Sequence, residues 1–368
     1  FKQKTAYEIM PSLVGSEMCI RDSFTREEST WSQQAYIKAS NTGEPAPRED
    51  LWSDGDQFGY AIDLSPDGNT LAVGAIGEDS AATGINGDES DNSATGAGAV
   101  YVFIRSDGMW SQQAYVKASN AGIGHYFGVA VSLGVNGDVM AVGSFDAGGS
   151  GVPGLDPLVD EDDPLVGTGA VYVFKRNGNT WSEIAKLKAA NAEQEDSLGI
   201  AVAISNDGNT VAAGALDEDG LTTGVNSTPV PDVHENTFAG AAYVFVREGD
   251  AWSQQAYIKS TNISPNDWFG SRLALSADGN TLAVGSQLED SASQGIGGRQ
   301  DDDSATESGA VYLFTRNNNV WTQDAYVKGA NTENYDEFGS SISLSGDGSM
   351  MAVGASGCLL YTSPSPRD

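Results

Sequence analysis

Clusters of carboxylate and amide side chains, interspersed with glycine, are the residues of this sequence that could most readily do chemistry. The candidates are Asp79, Asn86, Asp88 and Asp91 in a first cluster and Asp301 and Asp303 in a second. Calcium takes six to eight oxygen ligands of this kind. We therefore expect a calcium site among them, although their spacing matches no established calcium-binding loop. The alternative is that they form solvated acidic loops that only increase solubility.

Two tryptophans are candidate ligand contacts. Five others recur at a regular spacing and open the same segment of each repeat, so we expect them to be structural; they are Trp31, Trp110, Trp181, Trp252 and Trp321. Trp52 and Trp268 fall outside that spacing, in the links between repeats. Aromatic side chains in such positions favour interfaces. We expect these two residues to contact a ligand.

The charge balance excludes two classes of partner. The chain has 368 residues, with 19 Lys plus Arg against 51 Asp plus Glu, and a net charge of −32. Nucleic acid and anionic membranes are bound through clustered basic residues. We therefore expect neither as a partner. Direct membrane insertion is not expected either, because no apolar run approaches the ~20 residues that a spanning helix needs.

Both ends of the chain read as translated sequencing adapters. One DNA string can encode residues 13–23, and its reverse complement can encode residues 358–367. Unrelated protein termini have no reason to be related in this way. We therefore set residues 1–23 and 358–368 aside as non-native, adapter-derived segments and take residues 24–357 as native. Both cysteines, Cys19 and Cys358, lie in the excluded segments, so the native part has no thiol chemistry.

A repeat of about 70 residues organises the native part. A Phe-Gly pair recurs at Phe58, Phe127, Phe269 and Phe338, and Leu198-Gly199 takes its place once. Each repeat holds four short strand signals, which in the first repeat are residues 58–64, 70–75, 98–103 and 110–118. Tight turns join the first strand to the second and the third to the fourth, and a long loop joins the second to the third. Four antiparallel strands per repeat, without helices, are typical of β-propeller blades.

The sequence therefore predicts an all-β propeller of four-stranded antiparallel blades. Four blades are complete, at about 58–118, 127–189, 198–260 and 269–329. Residues 24–39 and 338–356 supply parts of a further blade, and we expect these ends to meet and complete it because unpaired strand edges favour pairing. Since connections alternate between the two ends of an up-and-down sheet, the long loops and the inter-blade links share one face. We expect the functional surface on this long-loop face.

Three motifs resemble the FG-GAP repeats of integrin α-subunit propellers and of bacterial surface proteins. They are the Phe-Gly pair, Leu-Ala-Val-Gly-Ala at 71–75 and Gly-Ala-Val-Tyr-Val-Phe at 98–103. The resemblance implies an extracellular or cell-surface location, a protein or glycan ligand and often calcium. Integrin-type repeats hold calcium on an Asp-x-Asp-x-Asp-Gly loop between strands one and two, where this chain has only the short turn 65–69. Family propellers usually have seven blades, so we expect this chain to be an internal piece.

Catalytic signals are weak. The two histidines, His125 and His234, do not recur and have no evident nucleophile beside them. Residues 276–281 are similar to the Asp-box of sialidases but lack one residue of it and its terminal aromatic, and no non-repeated arginine triad accompanies them. We therefore expect no enzyme activity, although carboxylate pairs of the glycosidase kind stay open in so acidic a chain.

These observations lead to a function hypothesis. The chain is expected to be a non-enzymatic extracellular binding or adhesion module, with calcium as its one candidate cofactor and a protein or glycan as its ligand. The alternatives are a structural repeat segment of a large surface protein and, less favoured, a propeller glycosidase. Variation concentrated in the long loops favours a binding module.

Overall fold

The computed structural model describes residues 20–41, 55–147, 167–228 and 237–358. The described residues form twenty β-strands and no helix, so none of them belongs to a helix that could cross a membrane. Six antiparallel sheets follow one another along the chain: a hairpin, four four-stranded blades and a second hairpin.

The strands have the following bounds. The N-terminal hairpin consists of β1 (Ile20–Glu27) and β2 (Thr30–Lys38). Blade 1 consists of β3 (Phe58–Leu64), β4 (Thr70–Ala75), β5 (Ala99–Ser106) and β6 (Met109–Val116). Blade 2 consists of β7 (Val131–Leu133), β8 (Val139–Ser144), β9 (Ala170–Asn177) and β10 (Thr180–Leu187).

The second half continues the pattern. Blade 3 consists of β11 (Leu198–Ile204), β12 (Thr210–Ala215), β13 (Ala241–Glu248) and β14 (Ala251–Ile258). Blade 4 consists of β15 (Phe269–Leu275), β16 (Thr281–Ser286), β17 (Ala310–Asn317) and β18 (Val320–Val327). The C-terminal hairpin consists of β19 (Phe338–Leu344) and β20 (Met351–Ala355). The predicted β-propeller of four complete blades is confirmed.

The core lies between neighbouring blades. One cluster joins Val100 and Val116 of blade 1 to Phe127 and Tyr172 of blade 2. The phenylalanine of the Phe-Gly pair packs edge-on against a tyrosine of its own blade, with ring centroids 5.4 Å apart for Phe127 and Tyr172. Such edge-on pairs are favourable beyond the apolar area they bury. Each blade is therefore stabilised by the blade before it and the blade after it.

The repeated tryptophans have the structural role expected of them. Each opens the outermost strand of its blade, and three of them donate their indole N–H to a glutamine of the preceding blade or hairpin. The bonds are Trp110 to Gln34 at 3.2 Å, Trp181 to Gln113 at 3.0 Å and Trp321 to Gln255 at 2.9 Å. Trp31 has no earlier sheet among the described residues, and its side chain is 65% exposed.

On the face opposite the long loops, backbone hydrogen bonds join the tight turns of successive sheets. Val135 N donates to Asn206 O at 3.1 Å, Asn206 N to Ala277 O at 2.9 Å and Ala277 N to Gly346 O at 2.8 Å. Pro66 takes the corresponding position in blade 1 and has no N–H to donate. The bonds form a row that runs in one direction around the propeller.

The two ends differ from expectation. The sequence analysis expected them to build one blade together, but the two hairpins remain separate two-stranded sheets. Joining them would pair β20 with β1, as β4 pairs with β5. β1 carries Arg21, Asp22 and Ser23 where β5 has an apolar Val-Tyr-Val segment. Polar side chains in these positions oppose burial between sheets.

Candidate functional site

The long loops and the inter-blade links lie together on one face. The link before each blade is hydrogen-bonded to the end of the long loop of the preceding blade. Tyr126 N donates to Gly96 O at 2.9 Å, Ser197 N to Gly167 O at 2.9 Å and Trp268 N to Phe238 O at 3.3 Å. The predicted long-loop face therefore exists, and its backbone is built in the same way between successive blades.

One position of this face repeats in backbone but varies in side chain. The residue before each Phe-Gly or Leu-Gly pair has a left-handed backbone; the five are Gln57, Tyr126, Ser197, Trp268 and Glu337, with φ between 50° and 60°. Side chains other than glycine adopt this region uncommonly. The same costly backbone conformation occurs in every repeat, although the five side chains differ. These five positions therefore form a frame, in which a fixed backbone displays variable side chains.

Of the two predicted ligand contacts, Trp268 belongs to this frame and is half-buried. Tyr126 holds the same position two repeats earlier, at the start of blade 2, and stacks flat on Phe145 with ring centroids 5.2 Å apart. Trp52 lies outside the described residues. Ligand contact by Trp268 and Trp52 stays a prediction.

The first cluster of candidate metal ligands supports the loop's own backbone. Asp79 accepts a hydrogen bond from Gly96 N, Asn86 from Tyr115 N, Asp88 from Ser90 N and Asp91 from Ala81 N, at 2.9 to 3.0 Å. These carboxylates and this amide thus fix the backbone conformation of the long loop of blade 1.

In the second cluster, Asp301 pairs with the exposed Arg299 at 3.0 Å. The charge of Asp303 reaches the buried Asp267 and contributes to raising its pKa. Across the described ranges, no three acidic, histidine or cysteine side chains gather in a group that could hold a metal ion. Calcium binding by either cluster stays a prediction.

A buried ion pair at the start of the long loop is a feature that the sequence analysis missed. Glutamate from the residues just after the second strand meets lysine from the end of the fourth strand. The pairs are Glu78 with Lys117 at 2.7 Å, Glu218 with Lys259, and Glu289 with Lys328 at 2.7 Å. All six side chains are almost fully buried. The recurrence of Glu and Lys at fixed places in the repeat was the available signal.

Further donors complete the environment of each glutamate. In blade 4, Glu289 Oε1 accepts from the Tyr326 hydroxyl at 2.7 Å and from Asn262 Nδ2 at 2.9 Å. In blade 3, Tyr257 donates to Glu218 Oε1 at 2.6 Å. Burial and the nearby glutamate raise the pKa of both tyrosine hydroxyls, which therefore remain neutral donors. A buried carboxylate needs such bonds to offset its lost hydration.

A buried aspartate lies beside this network, two residues before most of the Phe-Gly or Leu-Gly pairs. The four are Asp56, Asp196, Asp267 and Asp336. Burial, together with the charges of Glu289, Asp290 and Asp303, raises the pKa of Asp267 to about 8. Its carboxyl group accepts a hydrogen bond from Ser264 N at 2.9 Å.

Blade 2 breaks the pattern at three places. Ala147 stands where the other blades have glutamate, Lys186 where they have tyrosine on the fourth strand, and His125 where they have aspartate. His125 is buried, and burial and the charges of Lys186 and Lys188 lower the pKa of its imidazole to about 4. At these three places blade 2 has therefore lost two acidic side chains and gained one lysine.

The axis of the propeller contains a channel of about 390 Å³. The innermost strands β3, β7, β11 and β15 and the residues before β7 line it, mostly with apolar side chains such as Ile62, Val131 and Val202. Arg272 is the charged residue of its lining, and it donates to the backbone oxygens of Ser271 and Ser340. The channel offers apolar side chains interspersed with polar backbone groups, and one guanidinium already engaged by the backbone.

Comparison with known proteins adds three findings. The family model described as FG-GAP repeat matches residues 181–245, 252–314 and 321–358. No curated protein matches the sequence. Among solved structures, a candidate 6-phosphogluconolactonase from Bacteroides uniformis is similar, with 10% identity, a TM-score of 0.46 and coverage of 85% of this chain and 66% of that chain. The Pseudomonas aeruginosa periplasmic gluconolactonase is similar with 15% identity, a TM-score of 0.49 and coverage of 90% and 70%.

These similarities correct one expectation. Both solved structures are named as lactonases, which are enzymes, so the expectation that this chain is not an enzyme is contradicted and is not carried further. At such identities the likeness concerns the fold, and the named activities belong to those proteins. The chain spans about two thirds of the length of the first of them.

Proposed function

Residues 181–358 of this chain match FG-GAP repeats, and on that premise we propose that the chain is a ligand-binding module of an extracellular or cell-surface protein, acting in adhesion through its long-loop face. Repeats of this family typically occur in extracellular and surface proteins, which supports the location. The ligand class is a protein or a glycan.

One observation carries the proposal. The left-handed position before each Phe-Gly or Leu-Gly pair keeps its backbone through five repeats while its side chain changes from Gln57 to Tyr126, Ser197, Trp268 and Glu337. A position with a purely structural role would favour the residue that adopts the conformation at least cost, which is glycine. Different side chains on a fixed frame are what a recognition surface requires, because rigid anchors lose little entropy on binding.

The two aromatic members are the strongest anchors. Tyr126 lies in the link before blade 2 and Trp268 in the link before blade 4, and both side chains are only half-buried. Aromatic side chains contribute most of the binding energy in many interfaces, since they bury a large area with few rotatable bonds. The surrounding acidic loops favour a neutral or basic ligand over an acidic one.

The test uses the fluorescently labelled full chain on a glycan array and on immobilised extracellular-matrix proteins. We expect saturable binding to at least one of these probes and a loss of at least about tenfold in affinity for Trp268→Ala, which is the usual effect of removing an aromatic anchor. Met109→Ala is the matched control, because Met109 is 71% exposed beside a tight turn on the opposite face.

Two outcomes contradict the proposal. Equal binding by the wild type and Trp268→Ala, with a loss for Met109→Ala, would place recognition on the tight-turn face. Absence of saturable binding to every probe would favour the structural-segment alternative.

A further inference from the structure

One residue that lines the axial channel breaks the repeat. The second residue after each Phe-Gly or Leu-Gly pair is alanine in the first three blades, at Ala61, Ala130 and Ala201, and arginine in blade 4, at Arg272. All four residues line the channel. Since three blades fold with a small apolar side chain at this position, the propeller fold does not require an arginine there. Its presence in the channel needs another explanation.

The guanidinium of Arg272 is only partly engaged. Its Nε donates to Ser340 O at 3.1 Å and its Nη1 to Ser271 O at 2.7 Å. A guanidinium has further N–H donors in a planar fork. Within the ranges that the structure describes, Nη2 has no hydrogen-bond partner and no acidic side chain pairs with Arg272. The side chain is exposed, so these donors are accessible to a molecule that enters the channel.

The arginines that recur in the repeat have a different role. Arg105, Arg176 and Arg316 each lie over the tryptophan of their own blade, with 5.3 to 5.7 Å between the guanidinium carbon and the ring centroid. Each also donates to a glutamine of the preceding sheet. Arg272 lies outside this pattern, so the packing that explains the other three does not explain it.

The channel wall has no carboxylate of its own, although the chain has 51 acidic residues. Among the described residues, those that line the channel include no aspartate or glutamate. Asp63 follows the lining residue Ile62, but its carboxylate accepts hydrogen bonds from Leu133 N at 2.6 Å and Leu64 N at 2.9 Å. An anion in the channel therefore meets a positive charge in the wall and no fixed negative charge there.

The apolar part of the wall is unusually accessible on one side. Ile62 is 58% exposed and Tyr60 is 49% exposed, whereas Val131 and Val202, which correspond to Ile62 in the next two blades, are each 9% exposed. Small-molecule sites are concave and mostly apolar, with few polar groups that orient the ligand. The channel volume of about 390 Å³ lies in the range of such sites.

We propose that the axial channel binds a small organic carboxylate, with its carboxylate group on the free donors of Arg272 and its apolar body against Ile62 and Tyr60. The planar fork of arginine matches the geometry of a carboxylate. The site goes beyond the proposed function and does not depend on it, because neither Trp268 nor Tyr126 lines the channel.

The probes are two carboxylates, naphthalene-2-carboxylate and octanoate, and their neutral amides, which have the same shape without the charge. Binding to the full chain is measured by ligand-observed NMR titration. We expect saturable binding of at least one carboxylate, with an affinity roughly fivefold or more above that of its amide. The reason is that hydrogen bonds to charged groups are the stronger ones.

Three variants locate the two parts of the ligand. Arg272→Ala restores the residue of the other three blades, so it should fold, and the carboxylate should then bind no better than its amide. Ile62→Ser should weaken both members of the pair, because it removes apolar wall. Arg299→Ala is the matched control, since Arg299 is an exposed arginine of the same blade that lies outside the channel.

Four outcomes overturn the proposal. The first is the absence of saturable binding of either carboxylate to the wild type. The second is an unchanged preference for the carboxylate in Arg272→Ala. The third is an equal loss in Arg299→Ala, which would show a general effect of charge. The fourth is a loss in Trp268→Ala but not in Arg272→Ala, which would place the probe on the long-loop face and leave the proposed function standing.

Discussion

Gly214 and Gly270 meet backbone to backbone across the boundary between blades 3 and 4: a Cβ on Gly214 would lie 1.9 Å from the carbonyl oxygen of Gly270. The same contact joins Gly74 to Gly128 and Gly143 to Gly199. The first glycine of each pair lies in the second strand of a blade and the second follows the phenylalanine or leucine of the next blade. The two glycine motifs of the repeat are therefore the two sides of one contact between neighbouring blades.

Gly214→Ala should destabilise the propeller by about 1–3 kcal/mol or more, because an added methyl group in a closely packed boundary forces the backbones apart. Chemical denaturation followed by tryptophan fluorescence measures this change. Gly329→Ala is the control, since a Cβ there would meet no atom closer than 3.7 Å. Equal effects of the two substitutions would show that the glycine contact does not set the spacing of the blades.

Ile184→Gln should stabilise the chain by about 0.5–1.5 kcal/mol, the net value of a typical hydrogen bond. Ile184 occupies the place of Gln34, Gln113 and Gln255, and the buried indole N–H of Trp252 has no acceptor among the described residues. The new glutamine supplies it. In Trp252→Phe, which has no indole N–H, the same substitution should give no gain, and a gain there would disprove the hydrogen-bond explanation.

Asp267→Asn should raise the melting temperature at pH 8 more than at pH 5. Since the folded-state pKa of Asp267 is raised to about 8, the folded chain retains a proton that the unfolded chain releases near pH 4. The stabilisation from this proton is complete below pH 4 and is lost as the pH rises to about 8. Asparagine has no such dependence and can keep the hydrogen bond from Ser264 N.

Melting temperatures from pH 4 to 9, in a chelating buffer that removes metal ions, measure this difference. Asp324→Asn is the control, because Asp324 is exposed on the outermost strand of blade 4. A difference between the wild type and Asp267→Asn that does not change with pH would show that Asp267 is ionised throughout the range.

If the acidic clusters bind calcium, a calorimetric titration should give a saturable isotherm and the melting temperature should rise. Magnesium should raise the melting temperature less, because it requires a stricter octahedral arrangement of ligands. Asp88→Asn and Asp91→Asn should weaken the response if the first cluster binds, and Asp301→Asn and Asp303→Asn if the second does. If the titration shows only heats of dilution, calcium does not bind. The role that then remains for Asp79, Asn86, Asp88 and Asp91 is to fix the backbone of the loop.

The blades could be predicted because every repeat carries the same anchors in the same order. Phe58 and Leu64 bound the first strand of blade 1 where the sequence analysis placed it, and Thr70 and Ala75 bound the second. In blade 2 the first strand is only Val131–Leu133, although Phe127 and Gly128 are present. A motif fixes where a strand enters the core, but the pairing of the residues that follow depends on their neighbours.

The buried polar network could not be predicted from single residues. Glu78 and Lys117 lie 39 positions apart and read separately as an ordinary loop acid and a strand lysine. Only the fold shows that the start of the long loop and the end of the fourth strand meet. His125 does not recur and has no evident nucleophile beside it, so the sequence indicates no role for it, whereas its place in the repeat is that of a buried aspartate.

The row of hydrogen bonds between the tight turns, from Val135 through Asn206 and Ala277 to Gly346, bears on how such a gene can change. Each turn within the row accepts one bond from the sheet before it and donates one to the sheet after it. Duplicating or deleting one whole repeat therefore leaves no turn without a partner, whereas an insertion of half a repeat would interrupt the row. Pro66 can accept but not donate, so the bond from its turn to the next is missing. Gain or loss of whole repeats should thus preserve this face. Unequal crossing-over between repeats, which produces such changes, should therefore be tolerated.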